Sequence, residues 1–347
     1  MSAEDNPFDG VGDTVRGADE WLNTTFGWYA VAKKEFQDAL RSKGFWVLAI
    51  LFTALFIRPV AAELYFSPAT NQARSQLGMQ LLISRYYLNL VSFLLPIVAI
   101  FAGYAAISKE HTSGSIKVLL SLPHSRREVI IGKIVGRCAV VGVPLLISFG
   151  LTALFLVVSK LTFKPGMFTM WAALSLLFTL VIVTVAVSIS GAVLRNIYSL
   201  MASIVFYLEI TFVWNLQVNA IAGWLAENLG FAPAVRWQLA FVAKLFNPSQ
   251  AYKTIVNSQL SQGANGARMA RWSMFSQPSD RMETICTGAL NGNATVQRSL
   301  FGNQTVCQDA GQSLPLWLSD PAVLGYMAAW LVLAGAISYY TFDRYDL

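Results

Sequence analysis

Six stretches of this chain are long and apolar enough to cross a lipid bilayer: about 45–66, 88–107, 134–158, 169–193, 198–218 and 321–342. Nothing else in the sequence restricts its fold so strongly. A hydrocarbon layer about 30 Å thick is crossed by about 20 apolar residues in a helix. Inside it every backbone N–H and C=O must be satisfied internally, so each run has to be helical. The first run is the weakest, because Arg58 and Pro59 interrupt it. The expected fold is an all-α, polytopic membrane protein with six transmembrane helices. Composition agrees: of 347 residues 55% are hydrophobic and only 13% are charged, where a soluble domain keeps roughly a quarter charged.

The net charge of +6 raises the question of nucleic acid, but no run of Lys and Arg is dense enough for it, and no nucleic-acid partner is expected. The basic residues flank the apolar runs instead, and membrane lipid is the surrounding partner. Lys33, Lys34, Arg41 and Lys43 precede the first run, six Lys and Arg surround the connection between the second and third, and Arg195 lies between the fourth and fifth. The positive-inside rule places these in the cytosol and leaves only Arg74, Arg85, Lys160 and Lys164 in short outer loops. Both termini are then cytosolic.

No cleavable leader is visible at the start. Residues 1–25 are acidic and are expected to be a disordered cytosolic tail. Residues 26–44 place Tyr29, Ala32, Phe36 and Leu40 at helical spacing, with Lys33, Lys34, Glu35, Asp38 and Arg41 on the other side. That is an amphipathic helix suited to the inner headgroup layer. Residues 219–320 form a large outer segment, expected to be surface or re-entrant helices in its first half and loops in its Gly-, Ser- and Asn-rich second half.

Between the second and third runs lies a polar island, SKEHTSGSIKVLLSLPHSRREVIIGK, residues 108–133, which holds both histidines. Ser113-Gly114-Ser115 interrupts the helix leaving the second span. Ile116, Leu119 and Leu120 then recur at three- and four-residue steps, and Pro123 ends that turn. Ser125 and Glu128 have capping-box spacing for the start of the third helix. Two readings fit the local physics equally: a short docking helix for a cytosolic protein, or a positive-inside loop whose leucines pack back on the bundle. The histidines, His111 and His124, lack a cluster of further ligands and read as surface polar residues; no metal site is expected.

The string from Glu110 to Lys133 resembles the cytosolic loop of ABC-2-type transporter permeases. It is similar in particular to the branch that includes permeases of nitrous-oxide-reductase maturation systems. The family pattern, E-x-x-x-G-[ST]-x-x-x-L-L-x-x-P-x-[ST]-R-x-x-x-x-x-G-K, is met at Glu110, Gly114, Ser115, Leu119, Leu120, Pro123, Ser125, Arg126, Gly132 and Lys133. KKEFQDALRSKGFW before the first span and FNPSQAYKTI (246–255) after the fifth also agree. Residues 260–318 depart from the pattern as a polar insertion. The resemblance implies that residues 45–347 are a six-helix permease domain in a prokaryotic cell membrane, paired with a second copy or a paralogue. It also implies that Glu110, Gly114, Leu119, Leu120, Pro123, Arg126 and Arg127 couple the permease to a separate ABC ATPase subunit. The chain has no G-x-x-x-x-G-K-[ST] of its own, so no cofactor is expected here, and ATP and Mg²⁺ would be used by that partner.

Several residues outside the island carry separate expectations. Arg58 and Glu209 are ionisable groups within spans, at a similar depth of roughly 17–20 Å from the inner face, and are expected to pair across helices, since a lone charge in lipid is costly. Pro96 and Pro144 would bend the two spans that hold the island at matching depth, but prolines are ordinary in spans and plain packing is the favoured reading. Cys286 and Cys307 lie in the outer segment, where a bridge closing about 20 residues contributes about 3 kcal/mol; two free thiols are the alternative. Cys138 reads as core. Asn293 and Asn303 begin outward glycosylation sequons, usable only in a host that glycosylates. No catalytic constellation is present, so an intramembrane enzyme is disfavoured. The expected function is a permease subunit driven by ATP hydrolysis, moving a substrate outward. Its rivals are an ABC-linked assembly factor acting on an external partner and an ion-driven carrier.

Overall fold

The computed structural model describes residues 9–66, 82–113, 125–159, 163–193, 195–230, 232–260, 286–287, 293–299, 302–308 and 316–344. Among these, six helices have the length and apolarity to cross a membrane: Lys43–Ala62, Leu88–Glu110, Arg127–Val158, Pro165–Ala192, Asn196–Leu225 and Asp320–Thr341. The all-α, multi-pass architecture read from the apolar runs is the architecture of the protein.

Helix α1 (Asp9–Thr25) and helix α2 (Gly27–Leu40) precede the bundle. The first span is α3 (Lys43–Phe66). The second begins with a π-turn, Ile83–Tyr87, continues as α4 (Leu88–Gly103), and passes through a turn at 104–107 into the short α5 (Ser108–Ser113). The third is α6 (Arg126–Val158) and the fourth α7 (Pro165–Ala192). The fifth is α8 (Asn196–Leu208), a π-turn Glu209–Val213, and α9 (Trp214–Leu229). Then come α10 (Pro233–Phe246), α11 (Pro248–Leu260), a two-stranded ribbon and the sixth span, α12 (Asp320–Arg344).

Local chemistry sets several of these boundaries. Helix α6 starts where the capping box predicts: Ser125 Oγ accepts from the Glu128 N–H at 3.3 Å, and the Ser125 N–H donates to Glu128 Oε2 at 2.7 Å. Helices α7, α10 and α11 each open on a proline, which needs no N–H partner there. Helix α9 ends at Gly230, whose φ of +64° is a left-handed cap that glycine adopts without steric cost. Pro96 and Pro144 are buried within unbroken helices.

Helix α7 is the axis of the bundle and packs against α4, α6, α8, α11 and α12. Its sequence is apolar on all sides, which suits a helix surrounded by others. The fully buried Trp171 ring stacks on Tyr87 at 5.0 Å and meets Phe149 edge-on at 4.7 Å. Its indole N–H donates to Tyr252 Oη at 3.0 Å, and Tyr252 in turn stacks on Phe178 at 4.9 Å. These contacts draw α11 into the bundle. Asn247 fixes its entry: Oδ1 accepts from the Ser249 and Gln250 N–H groups, while Nδ2 donates to the Ile210 carbonyl, within the π-turn, at 2.6 Å. The tract FNPSQAYKTI is thus a joint between the fifth span and the core.

Two expectations need correction. Residues 9–25 are not a disordered tail but helix α1, because Asp19 accepts from Lys33 Nζ at 2.6 Å and from Tyr29 Oη at 2.8 Å on α2, and Trp21 meets Phe26 edge-on. The second half of the outer segment is not only loop. Strand β1 (Asn293–Ser299) pairs antiparallel with β2 (Gly302–Gln308), Asn293 opposite Gln308 and Ser299 opposite Gly302. Each strand carries a β-branched Thr-Val pair, Thr295 opposite Val306 and Val296 opposite Thr305, which favours a ribbon and is easily hidden by the Gly and Asn around it.

Candidate functional site

The richest chemistry lies where α2, α5 and α6 meet. The face of α2 carrying Trp28, Val31, Ala32 and Glu35 lies on α6, and Val31 and Ala32 are buried there. Two glycines four residues apart allow it. A Cβ on Gly132 would stand 2.6 Å from both the Trp28 carbonyl oxygen and Val31 Cβ, and one on Gly136 would stand 2.7 Å from Glu35 Cβ. Small residues at four-residue spacing let helix backbones approach closely. Gly27, at the start of α2, is similarly filled by the Glu128 carboxylate.

This close approach brings four charges together. Lys133, only 1% exposed, donates to Glu110 Oε1 on α5 at 2.6 Å and to Glu35 Oε1 on α2 at 3.0 Å. One turn later Arg137 Nη2 pairs with Glu35 Oε2 at 2.7 Å. Two cations on α6 therefore hold one carboxylate from each neighbouring helix. A buried charge is costly unless paired, so each member depends on the others. This knot ties α2, the connector helix leading into the first span, to the end of the second span and the start of the third.

A second tie runs from α5 to the centre of the bundle. The turn at 104–107 frees backbone groups that a continuous helix would satisfy, and hydroxyls from other spans take them up. Ser190 Oγ on α7 accepts from the Ile107 and Ser108 N–H groups, both at 3.0 Å, and Ser199 Oγ on α8 donates to the Tyr104 carbonyl at 2.6 Å. Gly103 sits so close to α7 that a Cβ would lie 2.6 Å from Ala186 Cβ. The turn and the start of α5 are thereby hydrogen-bonded to α7 and α8. Farther along, Arg127 places its guanidinium 4.9 Å from the Tyr339 ring centre and joins α6 to α12.

The sequence-derived site residues divide accordingly. Glu110 and Arg127 are engaged as described. Gly114, Leu119, Leu120 and Pro123 lie outside the described residues, as does the side chain of Arg126, whose backbone begins α6. Arg58 and Glu209 do not pair. Arg58 is exposed on α3, which packs mainly against α6 and α2, whereas Glu209 lies half-buried at the π-turn and accepts from Gln217 Nε2 at 3.3 Å on its own span. Equal depth placed them at one level, but the helices that carry them are not neighbours. Cys286 is buried and disulfide-bonded, and Cys138 is free; the side chain of Cys307 lies outside the described residues. Asn293 and Asn303 fall in β1 and β2, and their side chains also lie outside them.

Sequence reasoning missed Glu35, Arg137 and the role of Lys133. The pattern was present in the spacing. Gly132 and Gly136, then Lys133 and Arg137, repeat at four residues on a helix whose start the capping box fixes.

Comparison with known proteins identifies the family. A family model described as "ABC-2 family transporter protein" matches residues 29–347. The chain is 32% identical over 126 residues to "Probable ABC transporter permease protein NosY" of Stutzerimonas stutzeri, covering 36% of this chain and 43% of that protein, so the aligned stretch spans less than half of that relative's length. It is 26% identical over 248 residues to the protein of the same name from Pseudomonas aeruginosa, covering 69% of this chain and 84% of that one. With six spans in the expected order and a match from the connector helix to the last residue, the chain belongs to the ABC-2 family of transporter proteins.

Proposed function

We propose that this chain is the membrane-spanning permease subunit of an ABC transporter of the cell membrane, working as a dimer with itself or a paralogue. A separate ATPase subunit binds the loop between α5 and α6 and uses ATP and Mg²⁺; the permease moves a substrate outward. Both termini and that loop face the cytosol. Glu110, Gly114, Leu119, Leu120, Pro123, Arg126 and Arg127 take part in the coupling, with Leu119 and Leu120 as the apolar ridge that the ATPase grips.

One observation carries this reading: Lys133 binds Glu110 at one end of the loop and Glu35 on the connector helix at once. A push on the loop then cannot displace α5 alone; it moves α2 and α6 with it, and Ser190 passes the displacement to α7. A merely positive-inside loop needs no such cross-linking of three helices. The names of the two relatives support the permease assignment.

The test is co-purification in detergent with a candidate ABC ATPase co-expressed with this chain. The wild-type pair is expected to stay together, and Leu119→Asp with Leu120→Asp to release the ATPase while the permease keeps its helix content. An ATPase retained by that variant, or the loop labelled from outside intact cells, overturns the reading. A second reading, an assembly factor that remodels an external protein, is favoured by the disulfide-bonded Cys286 and the β1–β2 ribbon of the outer segment. It predicts that excising residues 262–315 abolishes function while ATPase binding persists.

A further inference from the structure

Beside the charge knot opens a cleft of about 790 Å³ between α2, the first turns of α3, the end of the second span and α6. That is the size of small-molecule pockets, roughly 300–1,000 Å³. Its two ends differ in chemistry. Lys34, Lys109 and Arg137 line the end next to α2, whereas Phe45, Leu48 and Phe101 line the walls deeper along the spans. Polarity therefore changes along the membrane normal, in the same sense as in a phospholipid.

We propose that this cleft binds one anionic phospholipid from the leaflet bordering α2, with its phosphate at Lys34, Lys109 and Arg137 and an acyl chain along Phe45, Leu48 and Phe101. Charge supports an anion. Among the described residues the lining is balanced, Lys34, Lys109 and Arg137 against Glu35, Asp38 and Glu110, and Lys133, buried behind Glu35 and Glu110, adds one positive charge. Two of those carboxylates already accept from Lys133 and Arg137. The apolar end supports a chain: Phe101 remains 58% exposed in the protein alone, an apolar surface that a soluble anion would leave uncovered. A lipid here would brace α2 against the bundle on the flank next to its contact with Gly136, where Glu35 also lines the cleft.

The test needs only the purified chain, so its outcome is independent of any ATPase. Native mass spectrometry would count lipids retained after titration with dioleoyl phosphatidylglycerol or dioleoyl phosphatidylcholine, with glycerol 3-phosphate as a soluble competitor. One phosphatidylglycerol per chain is expected, preferred roughly tenfold or more over phosphatidylcholine from the basic residues near its headgroup. Lys34→Gln with Lys109→Gln should abolish the preference, Ala102→Trp should block the lipid with all charges intact, and glycerol 3-phosphate should not compete. Circular dichroism checks that both variants fold; should the tryptophan variant fail, the lysine variant decides. Equal retention of the two lipids, a lysine variant that keeps the preference, or displacement by glycerol 3-phosphate would each overturn the proposal.

Discussion

Replacing Lys133 by methionine keeps the four-atom apolar stem and removes the ammonium, with its charge and its two hydrogen bonds. In the wild-type protein that ammonium is 1% exposed and sits 2.6 Å from Glu110 and 3.0 Å from Glu35. Taking one partner from a buried ion pair costs about 3–5 kcal/mol, because a charge is left uncompensated. Here the lower end applies. Glu35, 14% exposed, keeps Arg137, and the Glu110 side chain, 23% exposed, can turn partly to water. At 1.4 kcal/mol per decade, a loss of about 3 kcal/mol loosens the α2–α6 contact roughly a hundredfold. Amide hydrogen exchange measures such local opening directly. The α2 amides around Glu35 should exchange roughly a hundredfold faster in Lys133→Met. Adding Glu110→Gln, which removes the orphaned carboxylate charge, should recover much of the protection. Unchanged exchange in the single variant, or a double variant no better than the single, would refute the argument that paired charge holds these helices together.

Gly132→Val or Gly136→Val should separate α2 from α6, since the added carbon meets backbone and Cβ atoms 2.6–2.7 Å away; overpacking of this kind costs about 1–3 kcal/mol, and a disulfide engineered between the helices should stop forming. Ser190→Ala leaves the Ile107 and Ser108 N–H groups without their acceptor and should lower stability by about 1–3 kcal/mol, read as a lower denaturation midpoint. Arg58→Leu and Glu209→Gln should be additive within about 0.5 kcal/mol, as for residues that share no partner; measurable coupling would restore the cross-helix pair. The docking of α1 should depend on acid. Hydrogen bonds from Lys33, then Tyr29, hold the Asp19 carboxyl below its ordinary 3.8, so its contribution is complete above that value and lost as pH falls through the depressed one, while that of Lys33, whose pKa is raised above 10.5 by Asp19, is lost only at strongly alkaline pH. Trp21 fluorescence should therefore be flat from pH 5 to 8 and change only in acid below about pH 4.

The spans were legible because lipid leaves a chain only one solution: a run of about 20 apolar residues must be a helix. The start of α6 was equally legible, as Ser125 and Glu128 complete a local motif that needs no tertiary information. Orientation of one helix against another is not local, and there the sequence misleads. Counting residues put Arg58 and Glu209 at one depth, but nothing in the count says that α3 packs on α6 while the fifth span lies elsewhere. The same limit hid the knot. Amphipathic spacing put Glu35 on the polar side of α2, but it lies on the face that packs against α6, beside Ala32. That it meets a buried lysine follows only from Gly132 and Gly136, which bring α6 within reach. Helix α1 was misread for a related reason: its acidic residues look like a solvated tail until Lys33 and Tyr29 supply partners for Asp19.

The central claim is that the Lys133 knot transmits work between the loop bound by the ATPase and the spans. It is tested most directly by ATP hydrolysis of the reconstituted ATPase–permease complex, comparing wild type with Lys133→Met at equal complex stoichiometry. The account predicts that the variant still assembles but that its turnover falls toward the rate of the ATPase alone. A Lys133→Met complex that hydrolyses ATP and transports at the wild-type rate, with α2 shown by hydrogen exchange to be released, would contradict it.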